Sequence, residues 1–186
     1  MEIMKTRRPD ILKAAYDLMG IQGLESLHAR TVAAELGINH ATVHYYFPTR
    51  TDLLVGVAEY AHEQFQRDRA KLHEGARNNK EKLESELALA EAYCKKTSRF
   101  VKVLAGLYVA STSNMQVRRK LQEIWKEWVA LVTTLLGSGK VKKSSPFDDA
   151  ELLVCSLFGI AVASHMLDGK LNSTARIDEV YKSMFG

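Results

Sequence analysis

The sequence predicts an all-α fold of about nine helices. Apolar residues recur with helical periodicity through nearly the whole chain, and strand-like alternation is almost absent. The three prolines, Pro9, Pro48 and Pro146, each fall where a helix would start or be interrupted.

The first helix is expected from Pro9 and Asp10, with Ile11, Leu12, Ala15, Leu18 and Met19 on one buried stripe and Gly20 and Gly23 ending it. A short second helix covers about 29–36, with Val32, Ala33 and Leu36 inward and Ser26 or His28 at its start. Gly37 permits a tight turn, and Asn39 stands where its side chain can cap the next helix. That third helix, about 40–46, ends before Phe47-Pro48. Thr49 then caps a long fourth helix whose apolar face is Leu53, Leu54, Val57, Ala61 and Phe65. Five more helices follow, at about 80–96, 99–110, 116–136, 148–167 and 177–185. The segment 137–146, rich in Gly, Ser and Lys, is the clearest loop.

Composition bounds the function. With 46% apolar and 26% charged residues, 186 residues suffice for a core in one domain or two small ones. There is no apolar run of the ~18 residues a membrane span needs, and no secretory signal is read at the start of the chain. Cys94 and Cys155 lie far apart on apolar helical patterns and form no CxxC pair, so they read as buried free thiols in a reducing cytoplasm. The net charge of +4 favours an anionic partner only weakly, because residues 1–50 hold six Lys/Arg against five acids. No nucleophile motif, carboxylate–histidine metal set or phosphate-cradling loop supports an enzyme, and no metal or cofactor is expected. His40 and His44 have i,i+4 spacing that could bind a metal, but no third ligand lies near in sequence.

The order helix, glycine-bearing turn, helix in 28–50 is that of a DNA-binding helix-turn-helix. A second helix that enters a major groove ~12 Å wide must be narrow, anchored from behind and lined outside by small or hydrogen-bonding side chains. Val43 and Phe47 can anchor; His40, Ala41, Thr42 and His44 can face the groove; Tyr45 and Tyr46 carry hydroxyls suited to phosphate oxygens. Lys5, Arg7 and Arg8 form a basic arm, either a solvated tail or a phosphate or minor-groove contact. The basic run 140–143 reads as a solvated loop.

The stretch GINHATVHYYFPTRTDLL (37–54), with ILKAAYDLMGIQGLESL (11–27) before it, resembles the TetR family of regulators over about residues 9–60. The resemblance implies an N-terminal three-helix DNA-binding domain, 1–48, and a helical effector-binding and dimerisation domain, 49–186. It implies a homodimer on a palindromic double-stranded operator, with a small-molecule effector, largely apolar or aromatic, held among the C-terminal helices. By position, Arg30, Ala41, Thr42 and His44 become the base-proximal set and Tyr45, Tyr46, Thr49 and Arg50 backbone contacts. His44 departs from the family, which usually carries a tyrosine near the middle of the recognition helix.

In the C-terminal part, Tyr93, Phe100, Leu104, Tyr108, Trp125 and Trp128 are the candidate effector contacts, with plain core packing as the alternative. Cys155, Gly159 and Ala163 make a small-residue groove flanked by Leu152, Val162 and Met166, read either as intrachain packing or as a dimer interface. The expectation is a cytoplasmic, non-enzymatic repressor released by its effector, with helix four joining reader and sensor. A regulator answering to a protein partner, or an all-helical enzyme, are the alternatives.

Overall fold

A computed structural model describes residues 7–95, 97–137, 145–167 and 170–185. Among the described residues it holds nine α-helices and no strand: α1 (Arg7–Gln22), α2 (Ala29–Leu36), α3 (His40–Tyr46), α4 (Arg50–His73), α5 (Asn79–Tyr93), α6 (Arg99–Ser113), α7 (Met115–Leu136), α8 (Pro146–Met166) and α9 (Ser173–Phe185). No helix is long and apolar enough to cross a membrane among them. Lys5 and the basic run 140–143 lie outside the described residues.

Helix ends follow local chemistry. Pro9 sits in the first turn of α1, where its missing N–H breaks no helical bond. Arg7 and Arg8 are therefore helical rather than part of a tail; Arg8 reaches Glu59 at 3.4 Å and lies over the Phe47 ring. Gly23 (φ 87°) and Gly37 (φ 61°) take backbone conformations that any side chain would strain. His28 occupies the cap of α2 without a side-chain bond, while Ser26 Oγ donates to Gly23 O. The last helix starts four residues earlier than its apolar pattern suggests, because Asn172 Oδ1 accepts from Ala175 N and caps it.

The chain forms two compact units, Met1–Gln64 with Lys102–Gln122, and Phe65–Val101 with Glu123–Gly186. These compact units are drawn differently from the division expected at 48/49, since α4, α6 and α7 each contribute to both. In the first unit Ile11, Met19, Leu27, Val32, Val43, Val57 and Leu107 are completely enclosed. Gly56 lets α4 pass close to its neighbours: a Cβ there would meet Leu12 Cδ2 at 2.7 Å and Phe47 Cε1 at 2.9 Å. In the second unit Leu83, Ala90, Val129, Val132, Leu153, Val154, Leu157 and Ile177 form the core.

Two expectations about burial are corrected. Cys94 is buried, and burial raises its thiol pKa, but Cys155 is exposed. On α7 the sequence pattern puts Leu121, Ile124, Trp125, Trp128, Leu131 and Leu135 on the apolar side; Leu135 is buried, the other five are only half-buried, and Val117, Val129 and Val132 are the remaining enclosed positions. The β-branched valines are short enough to lie under neighbouring helices, and the larger side chains flank them.

Candidate functional site

Helix α3 has seven residues and buries one of them, Val43; Phe47, its C-terminal cap, is the second anchor. Asn39 Oδ1 accepts from Ala41 N at 2.9 Å and fixes the first turn. On the far side His40, Ala41, His44 and Tyr45 are exposed and Thr42 is half-buried. Tyr45 is 67% exposed, high for an aromatic ring. The His40 and His44 rings meet edge to face at 6.1 Å, and no group of three potential ligands able to hold a metal occurs among the described residues.

Thr49 and Asp52 clamp the start of α4. Asp52 N donates to Thr49 Oγ1 at 3.1 Å, and Thr49 N donates back to Asp52 Oδ2 at 2.9 Å. Arg50 donates from Nε to Leu27 O and from Nη2 to Leu24 O, each at 3.2 Å. Its guanidinium thus holds the turn before α2 while the residue stays exposed.

A cleft of about 330 Å³ gathers Arg30, His44, Thr49 and Arg50, together with His28. Sequence reasoning placed His28 only as a helix cap; its position one residue before α2 was the available signal. Tyr46 departs from the outward use expected of it. It is half-buried, its ring packs edge-on to Tyr45 at 5.2 Å, and its hydroxyl is inaccessible and unbonded. The reason is angular: on one helix turn Val43, Tyr46 and Phe47 share a side that Tyr45 does not.

The second unit brings Tyr93, Phe100, Trp125 and Trp128 into one aromatic cluster, while Leu104 and Tyr108 belong to the first unit, Tyr108 being exposed. Tyr93 stacks on Phe100 at 4.3 Å, Phe100 on Phe65 at 5.4 Å, and Trp128 meets Phe65 edge-on at 5.2 Å. Trp125 extends the cluster to Trp128 and Phe158, each at 6.3 Å.

A polar network unforeseen in the sequence satisfies this cluster. Tyr93 Oη donates to Asp68 Oδ2 at 2.9 Å, and Trp128 Nε1 donates to Glu86 Oε2 at 3.2 Å. Arg69 holds the Glu86 carboxylate with Nε at 2.7 Å and Nη2 at 3.1 Å, and its guanidinium lies 4.2 Å from the Phe65 ring centre. His73 Nε2 is 3.0 Å from Glu86 Oε1, near enough for an ion pair but not aligned for a hydrogen bond. The Glu86 side chain is 1% exposed. Its signal was legible: Glu86 lies three residues after Leu83 and four before Ala90, on the buried stripe of α5.

On α8 the buried face is Ala150, Leu153, Val154, Leu157, Ala161 and Ser164. The expected interface residues lie outside it: Leu152, Cys155, Gly159 and Met166 are exposed, Val162 and Ala163 half-buried. Met166 is 78% exposed.

Residues 11–57 match the family model described as bacterial regulatory proteins, tetR family. The nucleoid occlusion factor SlmA of Vibrio vulnificus is 20% identical over 178 residues, covering 95% of this chain and 87% of that protein. A transcriptional regulator from Saccharomonospora viridis, solved in complex with choline, superposes with a TM-score of 0.78 at 19% identity, covering 97% of this chain and 94% of the other. The fatty acid degradation regulator FadR from Bacillus halodurans gives 0.78 at 20% identity, covering 96% and 97%. Such structural likeness fixes the fold.

Proposed function

We propose that this chain, whose residues 11–57 match the family model of tetR-type bacterial regulatory proteins, is a repressor of that family released from a palindromic operator by a small-molecule effector. One observation carries the DNA half of this reading. Helix α3 is held from behind by Val43 and Phe47 and leaves His40, Ala41, His44 and Tyr45 exposed. Nothing in the folded unit requires that face, and its small and hydrogen-bonding groups suit base edges in a major groove.

In this reading Arg30, His40, Ala41, Thr42 and His44 approach bases, and Tyr45 and Thr49 bind phosphates. Arg50 does so with the part of its guanidinium not committed to Leu24 and Leu27. Tyr46 reaches a phosphate only by changing rotamer, because its hydroxyl is enclosed. Two copies are needed for a palindrome. The stripe of exposed Leu152, Cys155, Gly159 and Met166 with half-buried Val162 and Ala163 on α8 would supply an apolar surface for the second copy.

The effector half rests on the aromatic cluster of Tyr93, Phe100, Trp125 and Trp128. Structural relatives are known as a choline complex and as a regulator of fatty acid degradation, which supports small-molecule control as the mode here. Leu104 and Tyr108 are secondary candidates. An effector that favours one conformation of the sensor shifts DNA affinity only by its differential affinity for the two states. Helix α4 runs from Arg50 to His73 through both units and is the one of the three shared helices that starts at the DNA-facing residues, which makes it the connection such a shift would use.

The test is selection from a random duplex pool. A two-fold symmetric site with half-sites about one helical turn apart, or a multiple of it, is expected. Recovery of no common sequence, or of one without symmetry, would refute the reading.

A further inference from the structure

The Glu86 carboxylate has an unusual tenancy. It lies at 1% exposure inside the second unit, yet its bidentate partner, Arg69, stands at the margin with its side chain 13% exposed. The guanidinium is pressed against the Phe65 face, which stacks on Phe100, which stacks on Tyr93. Trp128 donates to the same carboxylate, and a second carboxylate, Asp68, closes the far end of the ring stack through Tyr93. Negative ring faces and acceptor oxygens are the features that recognise a flat, delocalised cation.

We propose that this is the effector subsite, that its ligand class is a planar organic cation of the amidinium or guanidinium type, and that Arg69 is an internal stand-in which the effector displaces. The proposal rests on the repressor reading and names the effector for it. An incoming amidinium would take over both Glu86 oxygens and the Phe65 face, so charge inside the site is unchanged by the exchange. The side chain that leaves is the one able to leave. Arg69 has a long flexible stem at the margin, and its cation regains water when it swings out. An anionic effector would instead have to expel Glu86, whose short stem on the buried side of α5 leads to no solvent; moving an unpaired carboxylate through that core is costly. The His73 ring also stands beside Glu86, its Nε2 3.0 Å from Oε1, and borders the space open to the ligand.

The exchange has a consequence for regulation. Arg69 belongs to α4 and Glu86 to α5, so an effector on Glu86 dissolves the ionic tie between those helices. Helix α4 begins at Arg50, beside the DNA-reading residues.

The test uses benzamidinium chloride as probe and sodium benzoate as its anionic counterpart, titrated calorimetrically into the full chain, Arg69→Ala and Glu86→Gln. Saturable benzamidinium binding is expected, tightened at least tenfold in Arg69→Ala because the internal competitor is gone, and lost in Glu86→Gln. Benzoate should give no saturable heat. Equal benzamidinium affinity in the full chain and Arg69→Ala, or benzoate binding with benzamidinium silent, would overturn the proposal. Should Arg69→Ala fail to fold, Arg69→Lys loses the two-pronged grip but keeps the charge; it is expected to bind benzamidinium at least threefold more tightly than the unaltered chain, and an unchanged affinity is equally fatal. DNA binding measured on the same preparations separates the two readings. Retained DNA affinity without any benzamidinium binding sinks this subsite alone, whereas failure on every duplex sinks the repressor reading and leaves the calorimetry standing.

Discussion

The outer face of α3 and the surroundings of Glu86 are opposite solutions to placing polar groups. On α3 His40, His44 and Tyr45 are exposed, while Asn39 holds the first turn and Val43 anchors the helix in the core. Around Glu86 a carboxylate is enclosed and held by Arg69, Trp128 and an adjacent His73. Side chains without intramolecular partners are available to a ligand at almost no cost to the fold. A buried, saturated charge is available only by exchange. The first arrangement suits a surface that reads a large polyanion; the second suits a sensor that changes state.

The difference is sharpest under substitution. Arg69→Ala leaves the enclosed Glu86 carboxylate without its bidentate partner, and a loss of about 3–5 kcal/mol in unfolding free energy is expected, as for removal of one member of a buried ion pair. Urea denaturation measures it, and a loss below about 1 kcal/mol would show the network to be solvated. Arg50→Lys should act on a smaller scale. It keeps a positive charge beside the cleft that holds Arg30 and His44 but cannot span Leu24 O and Leu27 O together. A stability loss of about 1 kcal/mol is expected, with the salt dependence of DNA binding nearly unchanged. An altered salt slope with unaltered stability would reverse that assignment.

The mildest perturbation compares the two cysteines. Burial raises the Cys94 pKa, so its thiol stays protonated and unreactive at neutral pH and gains thiolate only as pH rises above the ordinary cysteine range. Exposed Cys155 should be alkylated first in dilute protein. Its labelling should slow as protein concentration rises if the α8 stripe pairs with a second copy. Concentration-independent labelling of Cys155 would remove that stripe from the interface.

How much of this was legible depended on how local the cause was. The caps Asn39 and Thr49, the turn at Gly37 and the anchors Val43 and Phe47 are short-range effects, and sequence spacing sufficed for them. So was the exposed face of α3, since three consecutive aromatics cannot share one side of a helix. The enclosure of the Tyr46 hydroxyl was missed, although helical angle already puts Tyr46 on the side of Val43 and Phe47. The engagement of Arg50 was not legible, because its carbonyl partners lie 23 and 26 residues away. The aromatic residues near Glu86 were visible as bulky side chains needing polar partners, but Asp68, Arg69 and Glu86 were not identified as those partners. Glu86 stood on a buried stripe, a signal that a charge-by-charge reading passes over. The exposure of Cys155 also escaped, because an apolar helical pattern does not tell a face packed within the chain from one left open for a second copy.

The most direct measurement is made on one variant carrying Thr42→Ala, His44→Ala and Tyr45→Ala, compared with the unaltered chain for stability and for affinity to the selected duplex. Unfolding free energy should stay within about 1 kcal/mol, because none of the three supports the core, while affinity should fall about 100-fold or more if each contact is worth about 1 kcal/mol. Undiminished affinity, or a fold that collapses before affinity can be measured, would contradict a DNA-reading surface built on the free face of α3.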